Sequence, residues 1–224
     1  APGTPFPDQA SRDAAAHAVA GFEEGLLLDP LENPILDTDS YKYAHSRMYP
    51  AGTTGLSAYV EARKPWDDMN HVIFFGLQAE LLKMIRTPVT PEMVDQAERI
   101  VTAHGLPFPR SGWDRIVEYH GGQMPVRIDA LPEGTHVPVG GPQMRIESTD
   151  ASLPWLPTFL ETRLLRAIWY PSTVATLSNH IVGRIAAAMT ETDGSDEGIG
   201  FKLHDFGARG GSSLASSGAG GAAH

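Results

Sequence analysis

FKLHDFGARGGSSLASSGAGGAAH, residues 201–224, is the stretch on which the fold of this chain turns. Phe201 and Leu203 read as a short apolar strand, and the strand delivers an acid, an aromatic ring and an arginine within five residues: Asp205, Phe206 and Arg209. Gly207, Gly210 and Gly211 follow, residues that let backbone come close to a ligand. A strand end opening through a Gly/Ser loop into a helix suits a bound phosphate, because helix N-termini present free N–H groups. The same residues also suit a plain surface turn that happens to carry charge. From Leu214 onward the Gly/Ala run reads as the start of a helix rather than a linker.

Upstream, helical and strand patterns alternate. Pro2, Pro5 and Pro7 mark an irregular arm, followed from Ser11 by a helix with Ala14, Ala18, Phe22 and Leu26 at helical spacing. Asp29-Pro30 and Asn33-Pro34 end it. DTDSYKYAH (37–45) reads as a strand end passing into a helix capped by Asp39 or Ser40, and LSAYVEAR (56–63) as a strand. HVIFFGLQAELLKMI (71–85) reads as a buried helix. Two well-punctuated helices follow, one from Pro91 to Gly105 and one from Ser111 to Gly121. PVRIDALPEGTHVPVGGPQMRIEST (125–149) alternates like a small antiparallel unit broken at Pro132-Glu133-Gly134 and Gly140-Gly141. Two further helices are expected, separated by Pro171, before the chain returns to the stretch quoted above. The pattern is α/β, divided into an N-terminal arm and helix (1–32), an outer α+β domain (33–180) and the start of a second domain (181–224).

Composition narrows the functional classes. The chain has 224 residues, 42% of them hydrophobic and 20% charged, which suits a globular protein with a real core. A net charge of -10 argues against nucleic acid or an anionic membrane as partner, since both require a positive face. With no cysteine there is no disulfide and no thiolate metal site. No apolar run is long enough to span a bilayer, and APGTPFPDQAS has neither the basic nor the apolar region of a secretory leader, so a cytoplasmic location is expected.

Two further clusters invite a chemical reading. DTDSYK (37–42) holds two carboxylates, a hydroxyl, a phenol and an amine; it is either a capped helix start or a place where Tyr41 offers a flat ring to a ligand. Glu61, Arg63 and Lys64 end a strand, where an arginine is either a solvated rim residue or a phosphate fork. Arg163, Arg166 and Arg184 read as solubilising charges on apolar helices. His71, His104, His120, His136 and His180 are scattered and show no metal-binding spacing, so no metal ligand is assigned. No nucleophile elbow, Walker A loop or G-x-G-x-x-G after a strand occurs, which leaves hydrolase, P-loop and Rossmann readings without support.

Taken together, ILDTDSYKYAHSRMYP (35–50), SAYVEAR (57–63), VIFFGLQAELLK (72–83), LPEGTHVPVG (131–140), TVATLS (173–178) and KLHDFGARGGSS (202–213) resemble the nicotinamide phosphoribosyltransferases, colinearly over about 33–224. The resemblance implies a type II phosphoribosyltransferase. Such an enzyme joins nicotinamide to 5-phosphoribosyl 1-pyrophosphate in NAD salvage, as a homodimer with sites shared between subunits. Its fold is an α+β outer domain on an incomplete α/β barrel. By the same resemblance Phe206 and, from the partner subunit, Tyr41 sandwich the base, Arg209 binds near ring and phosphate, Asp39 approaches the amide, and Arg63 grips phosphate across the interface. His204 and Asp205 take supporting positions. Magnesium (Mg2+) on the pyrophosphate and ATP as an activator are implied too. Where some relatives carry an aromatic residue after the first glycine of the motif, this chain has Ala208. The family's chains run to about twice this length, so the principal catalytic acid and histidine are expected in a C-terminal half not present here. That half is expected from a second chain or from the intact form of a split, cleaved or shortened enzyme. Nicotinate phosphoribosyltransferase and a non-catalytic, partner-binding piece are the alternatives.

Overall fold

The computed structural model describes residues 32–66 and 68–224. The helix read from Ser11 therefore lies outside the described residues. Five strands are present: β1 (Ser57–Glu61), β2 (His71–Ile73), β3 (Val126–Ala130), β4 (His136–Pro138) and β5 (Pro142–Ser148). The α-helices are α1 (Leu77–Arg86), α2 (Pro91–Ala103), α3 (Arg110–His120), α4 (Leu156–Phe159), α5 (Glu161–Asp193) and α6 (Leu214–Ala223). The class is α/β, as the alternating patterns indicate.

The segment 125–149 is antiparallel throughout but is divided between two sheets. β5 lies between β1 and β3, with Ala58 opposite Ile146 and Ile128 opposite Ile146 from the other side. β4 instead pairs with β2, Val72 facing Val137. The turn joining β3 to β4 does a second task. Glu133 in that turn accepts hydrogen bonds from Gly76 N–H at 2.9 Å and Gln78 N–H at 2.8 Å, so it caps the first turn of α1 from outside the helix.

Three sequence expectations are corrected. The first concerns 71–85, which is not one helix: His71–Ile73 is strand, and α1 begins only after Gly76, whose φ of 105° ends the strand direction. Val72 and Ile73 prefer extended backbone, and β4 supplies the ladder that holds them there. The second concerns Pro171, which does not separate two helices. α5 runs 33 residues straight through it, and across position 180. A mid-helix proline costs a hydrogen bond and crowds the carbonyl four residues back, but here the surroundings compensate. Ser172 Oγ accepts from Phe75 N–H at 3.0 Å and donates to Phe75 O at 3.1 Å, while Thr176 Oγ1 accepts from Ile73 N–H at 2.9 Å. These buried hydroxyls bind the middle of α5 to the free edge of β2. The Ala167 carbonyl, which Pro171 cannot reach, lies against Gly76. The third concerns Phe201 and Leu203, which form no strand. Ile199–Phe201 is a 3-10 turn, because no neighbouring strand among the described residues offers a ladder there.

The core sits where α3, α4 and the N-terminal part of α5 meet. Trp113, Trp155 and Phe159 form an edge-to-face trio with centroids 5.0–5.6 Å apart. Ile35, Phe74, Leu77, Leu153, Leu156, Leu160 and Leu164 complete it, all but sealed from solvent. At its edge Asp150 accepts from Arg115 Nε at 2.6 Å, His120 Nε2 at 2.8 Å and Ser152 N–H at 2.9 Å, tying α3 to the turn after β5. Burial alone would raise this carboxyl, yet the hydrogen bonds outweigh it and hold it well below the usual carboxylate range.

Two outcomes are expected. Gly76→Ala should destabilise the chain by at least about 2 kcal/mol in urea unfolding. An added Cβ would lie 2.3 Å from Ala167 O and 2.8 Å from the Pro171 ring, on backbone that L residues avoid. For Asp150 the folded carboxyl titrates below the unfolded one, so its contribution is present above the ordinary carboxylate range and is lost as pH falls through the folded value. The stability gap between the parent and Asp150→Asn should therefore hold near neutral pH and close below about pH 4.

Candidate functional site

The 3-10 helix Ser40–Arg47 and the residues just before it are fastened to α4 and the start of α5 by Asp37, Thr38, Asp39 and Lys42. Asp37 Oδ1 accepts from Arg166 at 2.5 Å, and Asp37 Oδ2 lies 3.7 Å from Arg163 Nε. Thr38 Oγ1 donates to Phe159 O at 2.9 Å, and Asp39 Oδ2 accepts from Thr162 Oγ1 at 2.6 Å. Lys42, only 2% exposed, pairs with Glu161. Asp39 does stand at the N-cap, but its side chain caps nothing; the carboxylate is spent on Thr162. The helix-start reading of DTDSYK thus explains most of the cluster. It does not explain Tyr41. That ring is 55% exposed, tilts over His45 at 5.4 Å, has the Lys42 ammonium 5.2 Å from its centroid, and its hydroxyl makes no hydrogen bond among the described residues.

The loop 204–211 presents a second open ring. Phe206 is 82% exposed, with the His204 ring edge-on to it at 6.5 Å. Asp205 Oδ1 accepts from Gly207 N–H at 2.7 Å, an Asx turn that fixes the loop and confines Asp205 to a positioning task. Arg209 follows in the 3-10 turn Gly207–Gly210 and forms no ion pair among the described residues. Behind the loop, Ser213 and Ser216 form a reciprocal capping box at the start of α6. The helix therefore spends part of its N-terminal donor set on its own residues, which narrows the phosphate-cradle reading. At Gly211 a Cβ would meet Ser217 Oγ at 2.3 Å, so that hydroxyl would have to turn away. α6 is itself fixed to α5: Gly220 seats against the Tyr170 hydroxyl, and Ser178 Oγ hydrogen-bonds His224 Nδ1 at 2.9 Å. The Gly/Ala run is an ordered helix, as its sequence suggested.

Arg63 and Lys64 emerge from β1 at one side of a groove of about 1030 Å³ between β1, β5 and one face of α5. The walls are mainly apolar, and Tyr59, Trp66 and Trp169 stand exposed along it. Arg63 has no ion-pair partner among the described residues. Within one chain, no hydrogen bond, ion pair or ring contact among the described residues joins Tyr41, Arg63 and the 204–209 loop. They stand at separate places on the fold. No group of three or more His, Asp or Glu side chains converges on a metal position among the described residues.

Arg163 is the residue the sequence reading missed. It is not a solubilising charge: at 3% exposure it pairs with Glu80 of α1 and faces Asp37. A signal was available, since an arginine two places after Glu161 in an otherwise apolar helix start needs acids to neutralise it, and Asp37 and Glu80 supply them.

These features define an α/β chain that offers two open aromatic rings and unpaired guanidinium groups on segments built for rigidity, and its known relatives are phosphoribosyltransferases. Residues 33–128 match the family described as "Nicotinamide phosphoribosyltransferase, N-terminal domain". The chain is 49% identical over 195 residues, 87% of its length, to the nicotinamide phosphoribosyltransferase of Xanthomonas campestris pv. campestris (strain 8004). It is 29% identical to that of Acinetobacter baylyi over 192 residues, 80% of its length. It spans 41% and 38% of those two proteins, matching their N-terminal portions. A crystal structure of human nicotinic acid phosphoribosyltransferase superposes on 67% of this chain and 28% of its own, with a TM-score of 0.49 and 23% identity. The chain therefore resembles the N-terminal part of the nicotinamide phosphoribosyltransferases.

Removing the Arg163 guanidinium leaves the half-buried Glu80 without its cation and Asp37 with Arg166 alone. Arg163→Ala should cost about 3–5 kcal/mol in chemical unfolding, whereas Arg166→Ala, on the exposed side of Asp37, should cost under about 1 kcal/mol.

Proposed function

We propose that this chain supplies one side of a nicotinamide phosphoribosyltransferase site. In that site the pyridine nitrogen of nicotinamide attacks C1 of 5-phosphoribosyl 1-pyrophosphate as the C1–O bond to pyrophosphate breaks. The products are nicotinamide mononucleotide and pyrophosphate, a step of NAD salvage. The observation that carries the reading is the pair Tyr41 and Phe206. They are large rings left open on well-anchored segments, in a chain whose relatives are named for this reaction.

A flat, electron-poor base gains from aromatic faces on both sides. Because Tyr41 and Phe206 do not meet within one chain, the sandwich is closed by two subunits of a homodimer, Tyr41 coming from the partner. Asp39, held by Thr162, stands two residues from Tyr41 on the amide side. Arg209 beside Phe206 serves the ring and phosphate, and Arg63, unpaired at the end of β1, grips phosphate across the interface. His204 orients Phe206 edge-on, and Asp205 fixes the loop through Gly207. Charge developing on the departing pyrophosphate is met by these fixed cations, so binding and orientation dominate the contribution of this chain. Mg2+ enters as the counter-ion of the pyrophosphate; the described residues do not converge on it by themselves. The acid and histidine that complete catalysis, and any activation by ATP, belong to the part of the relatives that this chain does not span, contributed by a second chain or by the intact enzyme. Among the described residues no helix is long and apolar enough to cross a membrane, and the cytoplasm is the proposed location.

The exposed groove along α5 favours one other reading, a non-catalytic piece that docks on a partner polypeptide and scaffolds it. The two readings separate on ligand binding. Calorimetric titration of the assembled protein should show nicotinamide preferred over nicotinate. Phe206→Ala should weaken nicotinamide by roughly tenfold or more with thermal stability unchanged, given how exposed the ring is. Unchanged affinity in Phe206→Ala and in Tyr41→Ala would overturn the base-sandwich assignment. The 224-residue chain alone should form little or no nicotinamide mononucleotide.

A further inference from the structure

A second recess lies on the far part of α5, next to the groove that carries Arg63 and sharing Met69, His71 and Thr176 with it. It is a trough of about 370 Å³ in which Thr176, Asn179, His180 and Arg184 of α5 face Met69 and His71. The α5 residues recur three or four apart, so they share one helix face. His71 is carried by β2 and is backed by His136 of β4, ring on ring at 4.9 Å and 27°. Gly183, where a Cβ would meet nothing within 4 Å, keeps the helix side of the recess low.

The charge pattern of this trough runs against that of the whole chain. Asp and Glu outnumber Lys and Arg by 27 to 17, yet among the described residues no carboxylate lines it. Arg184 forms no ion pair and His180 no hydrogen bond among the described residues. The titratable or charged groups that face the trough are His71, with His136 behind it, on the strand side, and His180 and Arg184 on the helix side. A guanidinium with no acid beside it repels a metal cation, so two nearby imidazoles do not make this a metal site. A planar guanidinium fork, imidazole N–H groups and the Asn179 amide instead match an oxyanion with several equivalent acceptors.

We propose that this trough between β2 and α5 binds a phosphoryl oxyanion, of the class of inorganic phosphate or pyrophosphate. Arg184 is its fork, and His180 and His71 are its second and third donors. The proposal is independent of the transferase reading and would stand if that reading failed.

The test is a titration of the chain with labelled histidines, following the ring signals by NMR on addition of inorganic phosphate and, separately, pyrophosphate, with chloride as control. The expected result is a saturable response confined to His71, His136 and His180. Arg184→Gln, an exposed substitution that preserves the helix, should weaken the response by about tenfold, and His180→Gln by a few-fold. Arg63→Gln and Arg209→Gln should leave it unchanged, which separates this trough from the site proposed for the transferase. A response that does not saturate, that involves all the histidines equally, or that survives Arg184→Gln would mean an adventitious ion only and would overturn the proposal.

Discussion

A buried guanidinium holds the working parts of this molecule in register. Arg163, in the first turn of α5, reaches Glu80 of α1 and the carboxylate of Asp37 at once. A charge this deep is tolerable only if neutralised and hydrogen-bonded, and its neutralisers come from two other elements. The arrangement therefore works as a three-way fastening rather than a surface ion pair. Lys42 with Glu161 repeats the device one turn away. Between them these pairs decide where the 37–45 segment sits, and hence where Tyr41 points its ring.

The same helix bears the rest of the structure. Its middle is joined to β2 through the hydroxyls of Ser172 and Thr176, its outer face receives α6 through Tyr170 and Ser178, and α6 in turn holds the 204–211 loop, Ser217 Oγ donating to Ala208 O. One long helix thus connects the small sheets, the aromatic core and the Gly-rich loop. The division of labour among neighbouring residues follows. In DTDSYK most of the polar side chains are consumed by anchoring, and in HDFGARG Asp205 is consumed by the loop. What remains unpaired on each rigid support is an aromatic ring with a cation near it in sequence. Fixed supports with open tips are what a ligand-binding site requires, since groups already held in place lose little entropy on binding.

Much of the fold was legible in the residues. Pro91 and Gly121 punctuate helices as their backbone preferences demand, and β1 follows its alternation. Where reading failed, the cause lies in long-range contacts. No local rule says that Glu133 would cap α1 from a distant turn, or that hydroxyls on α5 would bind the β2 edge and carry the helix through Pro171. Phe201 and Leu203 carry strand propensity, but a strand is a property of pairs, and no partner strand stands beside them.

For the candidate site, the sequence by itself singled out the residues proposed to bind ligand, Tyr41, Arg63, Phe206 and Arg209, from the motifs DTDSYK, VEAR and HDFGARG. It also determined the class of the chain, because those motifs are colinear over most of its length. Only the tertiary structure decided which of the neighbours were already spoken for. Asp37, Asp39 and Lys42 look as reactive as Tyr41 on paper, and their partners lie more than a hundred residues away on α5. Burial and pairing are set by which segments meet in space, and a string of residues does not contain that distance.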